Sequence, residues 1–334
     1  MSFRERLLAL FPRLNELPAG LAVGGAIRDL LLGRAPNDVD VECDDPLAVA
    51  QSFGRKVIQL GREGMIAWRV VEGDRIYDFS ELSPLGRRDF TINAIAVDLA
   101  TGELRDPHGG ATDIDARIVR MIAAKNFDDD PLRLLRAVRF AVTLDFTIDD
   151  ATLDAVRARA ATITSVASER IEYELSVIFS AGAFRRALEL LRATALDVPL
   201  FGAELDASRF HADDVPLAAA YALLRHVPPG PVAREIATLQ QLVEKHDRMA
   251  LYDAGEWIAS QLPPLLRALG RDDALDLPDF SIRALLSGDE IAALTGLAPG
   301  PRLGAIKRAL LEAQVRGEVR TREEAEKLVA TSSM

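Results

Sequence analysis

Over the first third of the chain, short apolar runs alternate with breaks rich in Gly and Asp. Leu21–Val23, Val39–Cys43, Lys56–Leu60, Ile66–Val71, Arg75–Phe79 and Ile92–Leu99 read as strands or strand-like segments, with short helical runs between them. Beyond about Asp128 the spacing changes: Ala, Leu and Arg recur at helical intervals, and helix starts are predicted at Asp130-Pro131, Ile148-Asp149 and Ser168-Glu169. Few strand signals follow, so the C-terminal two thirds should be almost wholly helical. Val227–Pro231, Leu297–Pro301 and Asp272–Asp279, which includes Pro278, read as connections between helices. There is no repeat of fixed period and no low-complexity tract.

Composition narrows the class without naming it. The 334 residues suffice for two or three domains, and 49% hydrophobic with 27% charged residues is the balance of a globular chain that buries a core. The formal charge of -11, from 40 basic and 51 acidic residues, argues against a nucleic-acid partner only weakly, because binding depends on where Lys and Arg are placed. A single cysteine, Cys43, excludes an internal disulfide scaffold and a thiolate zinc finger and points to a reducing compartment. Arg4, Glu5, Arg6 and Arg13 interrupt any signal-peptide core, and no apolar stretch approaches the roughly 20 residues of a membrane span. A cytoplasmic protein with no membrane partner is expected.

Two short segments carry candidate chemistry. Leu21–Gly33 reads as strand, two glycines (Gly24, Gly25) and an amphipathic helix closed by Gly33, with Arg28 one turn in. Glycines admit close backbone approach, and a helix start offers free N–H groups to an anion, though a tight strand-to-helix turn would explain the pair equally well. Next comes Asn37-Asp38-Val39-Asp40-Val41, in which the two-residue period of a strand puts Asp38 and Asp40 on one face. Neighbouring carboxylates repel unless a hard cation such as Mg²⁺ neutralises them. Glu42 continues that face and fits either a metal site or a solvated edge. Asp78, in Arg75–Phe79, is the candidate third acid that in-line phosphoryl transfer calls for.

These blocks, with others in order over about Leu21–Phe179, resemble the class II tRNA nucleotidyltransferases and bacterial poly(A) polymerases of the DNA polymerase beta-like superfamily. Gly24–Asp40 looks like the family's first motif, Arg87–Ala94 its ribose-selecting block, and Asp106–Gly110 its hinge. Asp129–Phe140 resembles the nucleotide-reading helix, and Ser168-Glu169-Arg170 with Glu174 the block that fixes it. Looser likenesses to RNA-binding helices occur at Leu286–Asp289, Leu297–Gly304 and Gly317–Glu324. The resemblance implies an α+β nucleotidyltransferase head (1–125) with a mixed or antiparallel sheet and flanking helices. An all-α neck (126–185) and an RNA-binding body and tail (186–334) would follow.

The resemblance also implies roles. Asp38 and Asp40 hold two Mg²⁺ ions, and Asp78 orients or deprotonates a primer 3′-hydroxyl that attacks the α-phosphate and expels pyrophosphate. Gly24, Gly25 and Arg28 take the triphosphate, with Arg88 near the phosphates. Asp89 accepts from the ribose 2′-hydroxyl, and Asn93 belongs to the same nucleotide-binding block. Asp130 and Arg133 act as a protein template for C and A, and Arg136 and Arg139 extend a basic stripe toward phosphates. As bland alternatives, Arg88 lies in a solvated turn, Asp130 caps a helix, and Arg136 and Arg139 are solvated positions opposite Leu132, Leu135 and Val142. The implied partners are the tRNA 3′ end, CTP and ATP. Only eight residues separate Asp78 from Arg87, where relatives that add all of CCA carry a longer charged loop, which hints at CC addition. A poly(A) polymerase, an idle RNA-binding module and a small-molecule nucleotidyltransferase are the competing classes. His246-Asp247 is expected to be plain surface.

Overall fold

The structure is a computed structural model and describes residues 2–54, 56–62, 65–226 and 232–332. Seven strands, β1 (Leu21–Val23), β2 (Asp38–Cys43), β3 (Ile58–Arg62), β4 (Met65–Glu72), β5 (Arg75–Glu81), β6 (Ala96–Asp98) and β7 (Leu104–Arg105), form one sheet in the order β3-β4-β5-β2-β1-β6-β7. β2 and β5 run parallel while every other neighbouring pair is antiparallel, so the sheet is mixed. Helices α1 (Phe3–Leu10), α2 (Gly25–Leu31), α3 (Pro46–Phe53) and α4 (Gly110–Asp115) interleave with it. A two-residue parallel pair, β8 (Ile118–Val119) with β9 (Thr147–Ile148), is a later exception to the helical texture.

From Lys125 onward the regular elements among the described residues are helical apart from β9, the α-helices being α5 (Lys125–Asp129), α6 (Leu132–Leu144), α7 (Asp150–Arg157), α8 (Ser168–Phe179), α9 (Phe184–Ala193), α10 (Asp197–Phe201), α11 (Leu217–Leu224), α12 (Val232–Glu244), α13 (Arg248–Ala254), α14 (Glu256–Ala268), α15 (Gly288–Thr295), α16 (Pro301–Val315) and α17 (Arg322–Thr331). Two compact units result, one of Met1–Ile178 with Ala187–Leu205, the other of Phe179–Arg186 with Asp206–Met334. In the second, Leu286, Ile291, Leu310, Val319 and Val329 form a small core of their own. The expected breaks at 272–279 and 297–301 fall between helices, whereas the one at 227–231 lies outside the described residues.

Alternation along the central strands decides which side chains reach the site. Val39 and Val41 of β2 are fully buried, each contributing roughly 1.5–3 kcal/mol to folding. On β5, Tyr77 and Phe79 enter an aromatic cluster with Phe11 of the α1-to-sheet connection and Phe53 of α3, at centroid distances of 4.9–6.4 Å. With those rings committed to one face, the pleat turns Asp78 to the other. The parallel register sets Asp78 directly opposite Asp40.

Two sequence expectations are corrected. Ile92–Leu99 is mostly not strand: Thr91–Asn93 form a 3₁₀ turn, and only Ala96–Asp98 pair in the sheet. Ile92 and Ala94–Val97 are all buried, and a run enclosed on every side carries no readable period. His246, expected at the surface, is instead half-buried with its Nδ1 2.9 Å from the Leu242 carbonyl, whereas Asp247 is exposed as expected and its carboxylate caps α13 by accepting from Met249 and Ala250 N–H.

Gly110 opens α4 against the Thr91–Asn93 turn so closely that an added Cβ would lie 2.2 Å from the Thr91 carbonyl oxygen and 2.8 Å from Ile95 Cγ1. Neither the backbone nor a buried branched side chain can yield cheaply. Gly110→Ala is therefore expected to destabilise by at least about 1–3 kcal/mol, seen by calorimetry as a thermal midpoint several degrees lower. An unchanged midpoint would contradict this packing.

Candidate active site

The site is built where β1 ends and turns into α2. Gly24 has φ 75° and ψ -126°, a backbone that favours glycine, and a Cβ there would meet Arg88 Nη1 at 2.7 Å and Asp40 Oδ2 at 3.4 Å. Its N–H donates to the Ile95 carbonyl at 3.1 Å, so what Gly24 contributes is room for Arg88 and Asp40 rather than a free donor. Arg28, one turn into α2, donates to Asp29 at 2.9 Å and to Asn93 Oδ1 at 2.8 Å and lies over the Phe140 ring. Most of its donors are thus taken within the protein.

Asp38, Asp40 and Asp78 are brought together as expected, with Asp38 exposed and the other two half-buried. Burial pushes the Asp40 carboxyl up to about 6; Arg88 pulls against the rise while Asp78, Asp38 and Glu42 add to it. Asp78 receives a bidentate ion pair from Arg69 on β4, at 2.8 and 2.6 Å. Arg69 was not among the sequence-predicted residues, yet it faces Asp78 in cross-strand register. Among the described residues no group of three or more His, Cys, Asp or Glu is arranged to cage an ion. Asp38 and Asp40 nevertheless suit Mg²⁺ chemically, because that ion takes one or two protein carboxylates and completes its shell with substrate phosphates and water.

Glu42 belongs to neither of its expected roles. It is 2% exposed, accepts from Ser83 N–H and Oγ at 3.2 and 2.9 Å, and pairs with Arg88 at 2.8 Å. The short connection after β5 is thereby tied to the sheet, and Arg88 is drawn out of the solvated turn considered for it. Arg87 does remain exposed. Burial, with Asp44 and Asp45 adding, pushes the Cys43 thiol up to about 11, which keeps it protonated and unreactive.

Behind the turn lies a buried ionic network. Asp89 accepts from Phe90 N–H at 2.8 Å, Asn93 Nδ2 at 2.9 Å and Arg136 Nε at 2.7 Å. Burial alone would raise its pKa, but the Arg136 charge and these hydrogen bonds outweigh that and bring it down to about 2. Arg136 and Arg139 do not point into solvent: they pair with Glu174 of α8 at 3.6 and 2.6 Å and, like Arg28, lie against the face of Phe140. Burial raises the Glu174 carboxyl against the pull of both arginines. The expectation of solvated helix positions gives way to internal ion pairing.

Beside the network a pocket of about 220 Å³ is lined by Arg88, Asp89, Asp130, Leu132, Arg133, Arg136 and Arg170. Asp130 does bond the start of α6, accepting from Leu132 N–H at 3.3 Å, but Arg170 of α8 also grips it at 3.2 and 2.8 Å. Arg133 donates Nη1 to the Asn126 carbonyl at 2.9 Å, and Asn126 in turn holds the Gly86 and Arg88 carbonyls. Arg170 appeared in the sequence only as part of a helix-fixing block, and no local pattern marks it as a pocket residue.

The chain is similar to known proteins over most of its length. A poly A polymerase head domain model matches residues 21–83 and 77–120, and a model for a probable RNA and SrmB-binding site of polymerase A matches residues 145–207. The CC-adding tRNA nucleotidyltransferase of Geobacter sulfurreducens is 31% identical over 93% of this chain and 91% of its own. The A-adding tRNA nucleotidyltransferase of Deinococcus radiodurans is 32% identical over 98% of each. A crystal structure of the Bacillus stearothermophilus CCA-adding enzyme in complex with CTP superposes with a TM-score of 0.82, at 27% identity, covering 99% of this chain and 98% of that one. A mixed sheet that aims its aspartates at a glycine turn is, in this company, a nucleotidyltransferase head. The chain belongs to the tRNA nucleotidyltransferase family that shares this head with the bacterial poly(A) polymerases. No helix among the described residues is long and apolar enough to cross a membrane.

Asp89 has an ordinary carboxyl pKa of about 3.9 when unfolded, and held near 2 in the fold it contributes roughly 2 kcal/mol of stability. That stability is complete above the unfolded value and is lost as pH falls through the folded one. Acid titration of stability should therefore steepen between about pH 4 and pH 2, and Asp89→Asn should flatten that segment. The same slope in the variant would remove Asp89 as its source.

Proposed function

We propose that this enzyme adds C, A or both from CTP and ATP to the 3′ end of tRNA, the primer hydroxyl attacking the α-phosphate with release of pyrophosphate. Support comes from a single pocket that pairs an acceptor, Asp130, with a donor, Arg133, and is lined as well by Arg88, whose charge acts on Asp40. The Watson–Crick edges of C and A each combine an amine donor with a ring-nitrogen acceptor, which this pair complements; G and U present the opposite order.

Asp38 and Asp40 would hold Mg²⁺, which when bound supplies charge neutralisation at the phosphates and a more acidic primer hydroxyl. Asp78, oriented by Arg69, accepts the primer 3′-hydroxyl proton or directs its lone pair. Gly24 and Gly25 leave the space a triphosphate needs, and Arg88 offers it a guanidinium. Arg28 and Asn93 steady the turn from behind. Asp89, its oxygens already accepting from Phe90, Asn93 and Arg136, would share an acceptor position with a ribose 2′-hydroxyl at the pocket wall. Arg136 and Arg139 fix the reading helix. In this scheme 1–125 is the catalytic head, 126–185 the neck and 186–334 the RNA-binding part, working in the cytoplasm.

The short connection after β5, fastened to Glu42 through Ser83, supports a product ending in CC, because it leaves no long mobile loop to reset the pocket from C to A. With tRNA ending at the discriminator base, at C and at CC, and each NTP given singly, the expected pattern is C added to the first two and nothing added to the third. Addition of A to the CC end together with C to the first two would assign full CCA synthesis, A on the CC end alone would assign an A-adding enzyme, and repeated A on unrelated RNA would assign a poly(A) polymerase.

Asp40→Ala should abolish incorporation from CTP while tRNA retention in a gel-shift assay stays within about threefold. Turnover that survives the substitution would refute the role of Asp40.

A further inference from the structure

We propose that Glu42 is a positioning residue for the triphosphate, holding Arg88 off Asp40 and presenting its guanidinium to the glycine turn; this rests on the reading of that turn and Arg88 as the triphosphate seat. Glu42 continues the face of Asp38 and Asp40 on β2 but is 2% exposed. Ser83 meets it with two neutral donors, at 3.2 and 2.9 Å, which an uncharged acceptor could also satisfy. A buried carboxylate is costly unless it is paired. Its charge is answered by Arg88, whose Nη2 donates to Oε1 at 2.8 Å.

The rest of that guanidinium is almost unspent. Nη1 reaches only the Asn93 carbonyl, at 3.5 Å, and Nε is enclosed with no hydrogen-bond acceptor. A guanidinium kept for structure uses its donors inside the protein, as Arg69 does in its two-pronged hold on Asp78. Arg88 instead lines the pocket of Asp130 and Arg133, and its Nη1 fills the space that Gly24 leaves. Donors left over at that point suit the oxygens of a phosphate chain. Asp40 competes for them, since a Cβ on Gly24 would meet Arg88 Nη1 at 2.7 Å and Asp40 Oδ2 at 3.4 Å, so that the two charged groups border one small space. Arg88 pairs with Glu42 rather than with Asp40, which leaves Nη1 and the Asp40 carboxylate uncommitted to each other.

The test is calorimetric titration of CTP and of cytidine into the full chain without RNA, for the wild type, Glu42→Gln, Arg88→Ala and the double variant. Glu42→Gln keeps the shape and loses the charge. It should weaken CTP binding about tenfold, as for one charge-assisted hydrogen bond, while cytidine changes by less than about twofold. Arg88→Ala should weaken CTP at least as much, and in that background Glu42→Gln should change CTP binding by less than about twofold, because Glu42 acts through Arg88. A merely structural Glu42 would cost affinity in both backgrounds, or for cytidine as well, and either result overturns the proposal. Thermal midpoints close to that of the wild type exclude a folding defect. Should Arg88→Ala prove unstable, because it strands a buried carboxylate, the double variant strands none and takes its place. CTP binding that weakens on loss of Arg88 but is unchanged in Glu42→Gln leaves the triphosphate seat standing and removes Glu42 from it. If loss of Arg88 itself leaves CTP binding unchanged, the seat reading fails and the proposal falls with it.

Discussion

Two buried carboxylates, Asp89 and Glu174, hold the first unit's functional elements in one arrangement. From Arg28 on α2 the contacts run through Asn93 to Asp89, then to Arg136, Glu174 and Arg139, with three guanidinium groups against one phenylalanine ring. Stripping water from so many charges is expensive, and a hydrophobic substitute of the same shape would often be at least as stable. Removing a single member, by contrast, strands a buried charge at a cost of about 3–5 kcal/mol. Such a network tolerates few alternative geometries. It ties the helix after the glycine turn to the helix that bears Arg133 and starts just after Asp130, so that the glycine turn and the pocket share one frame.

The sheet contributes a second constraint of a simpler kind. Tyr77 and Phe79 cannot leave their aromatic cluster without exposing large apolar rings, and Val39 and Val41 are similarly committed. Asp38, Asp40 and Asp78 have no choice of face once those neighbours are placed. Hydrophobic burial on one side of β2 and β5 therefore does the work of gathering like charges on the other, where electrostatics alone would scatter them.

That second constraint was legible in the sequence, because it is written in the two-residue alternation of Val39-Asp40-Val41 and Tyr77-Asp78-Phe79. The glycine turn, the change to helical texture and the starts of α6, α7 and α8 were legible for the same reason, each being a local pattern. The ionic network was not. Arg136 and Arg139 in a row read as a basic stripe, and nothing within a turn of them reveals Asp89, 47 positions earlier, or the Glu174 that joins them from α8. Arg170 closing on Asp130 across 40 positions and Arg69 closing on Asp78 across the sheet escaped local reading likewise. Ile92–Leu99 failed in another way: burial on all sides erased the alternation on which a strand assignment depends.

Three aspartates show how one functional group is given three tasks by its surroundings. Asp89 has a permanent counterion in Arg136 and is driven down to about 2, which fits it to hold structure at any working pH. Asp40, buried among other acids with only Arg88 in opposition, rises to about 6, so that added positive charge nearby would favour its ionised form. Asp130 is paired with an arginine that water can reach and left with capacity for one further donor. A carboxylate fully satisfied from within is poorly placed to recognise anything, and one left wholly open is poorly placed to discriminate. Partial satisfaction is the condition under which a hydrogen-bond pattern, rather than charge alone, can be read.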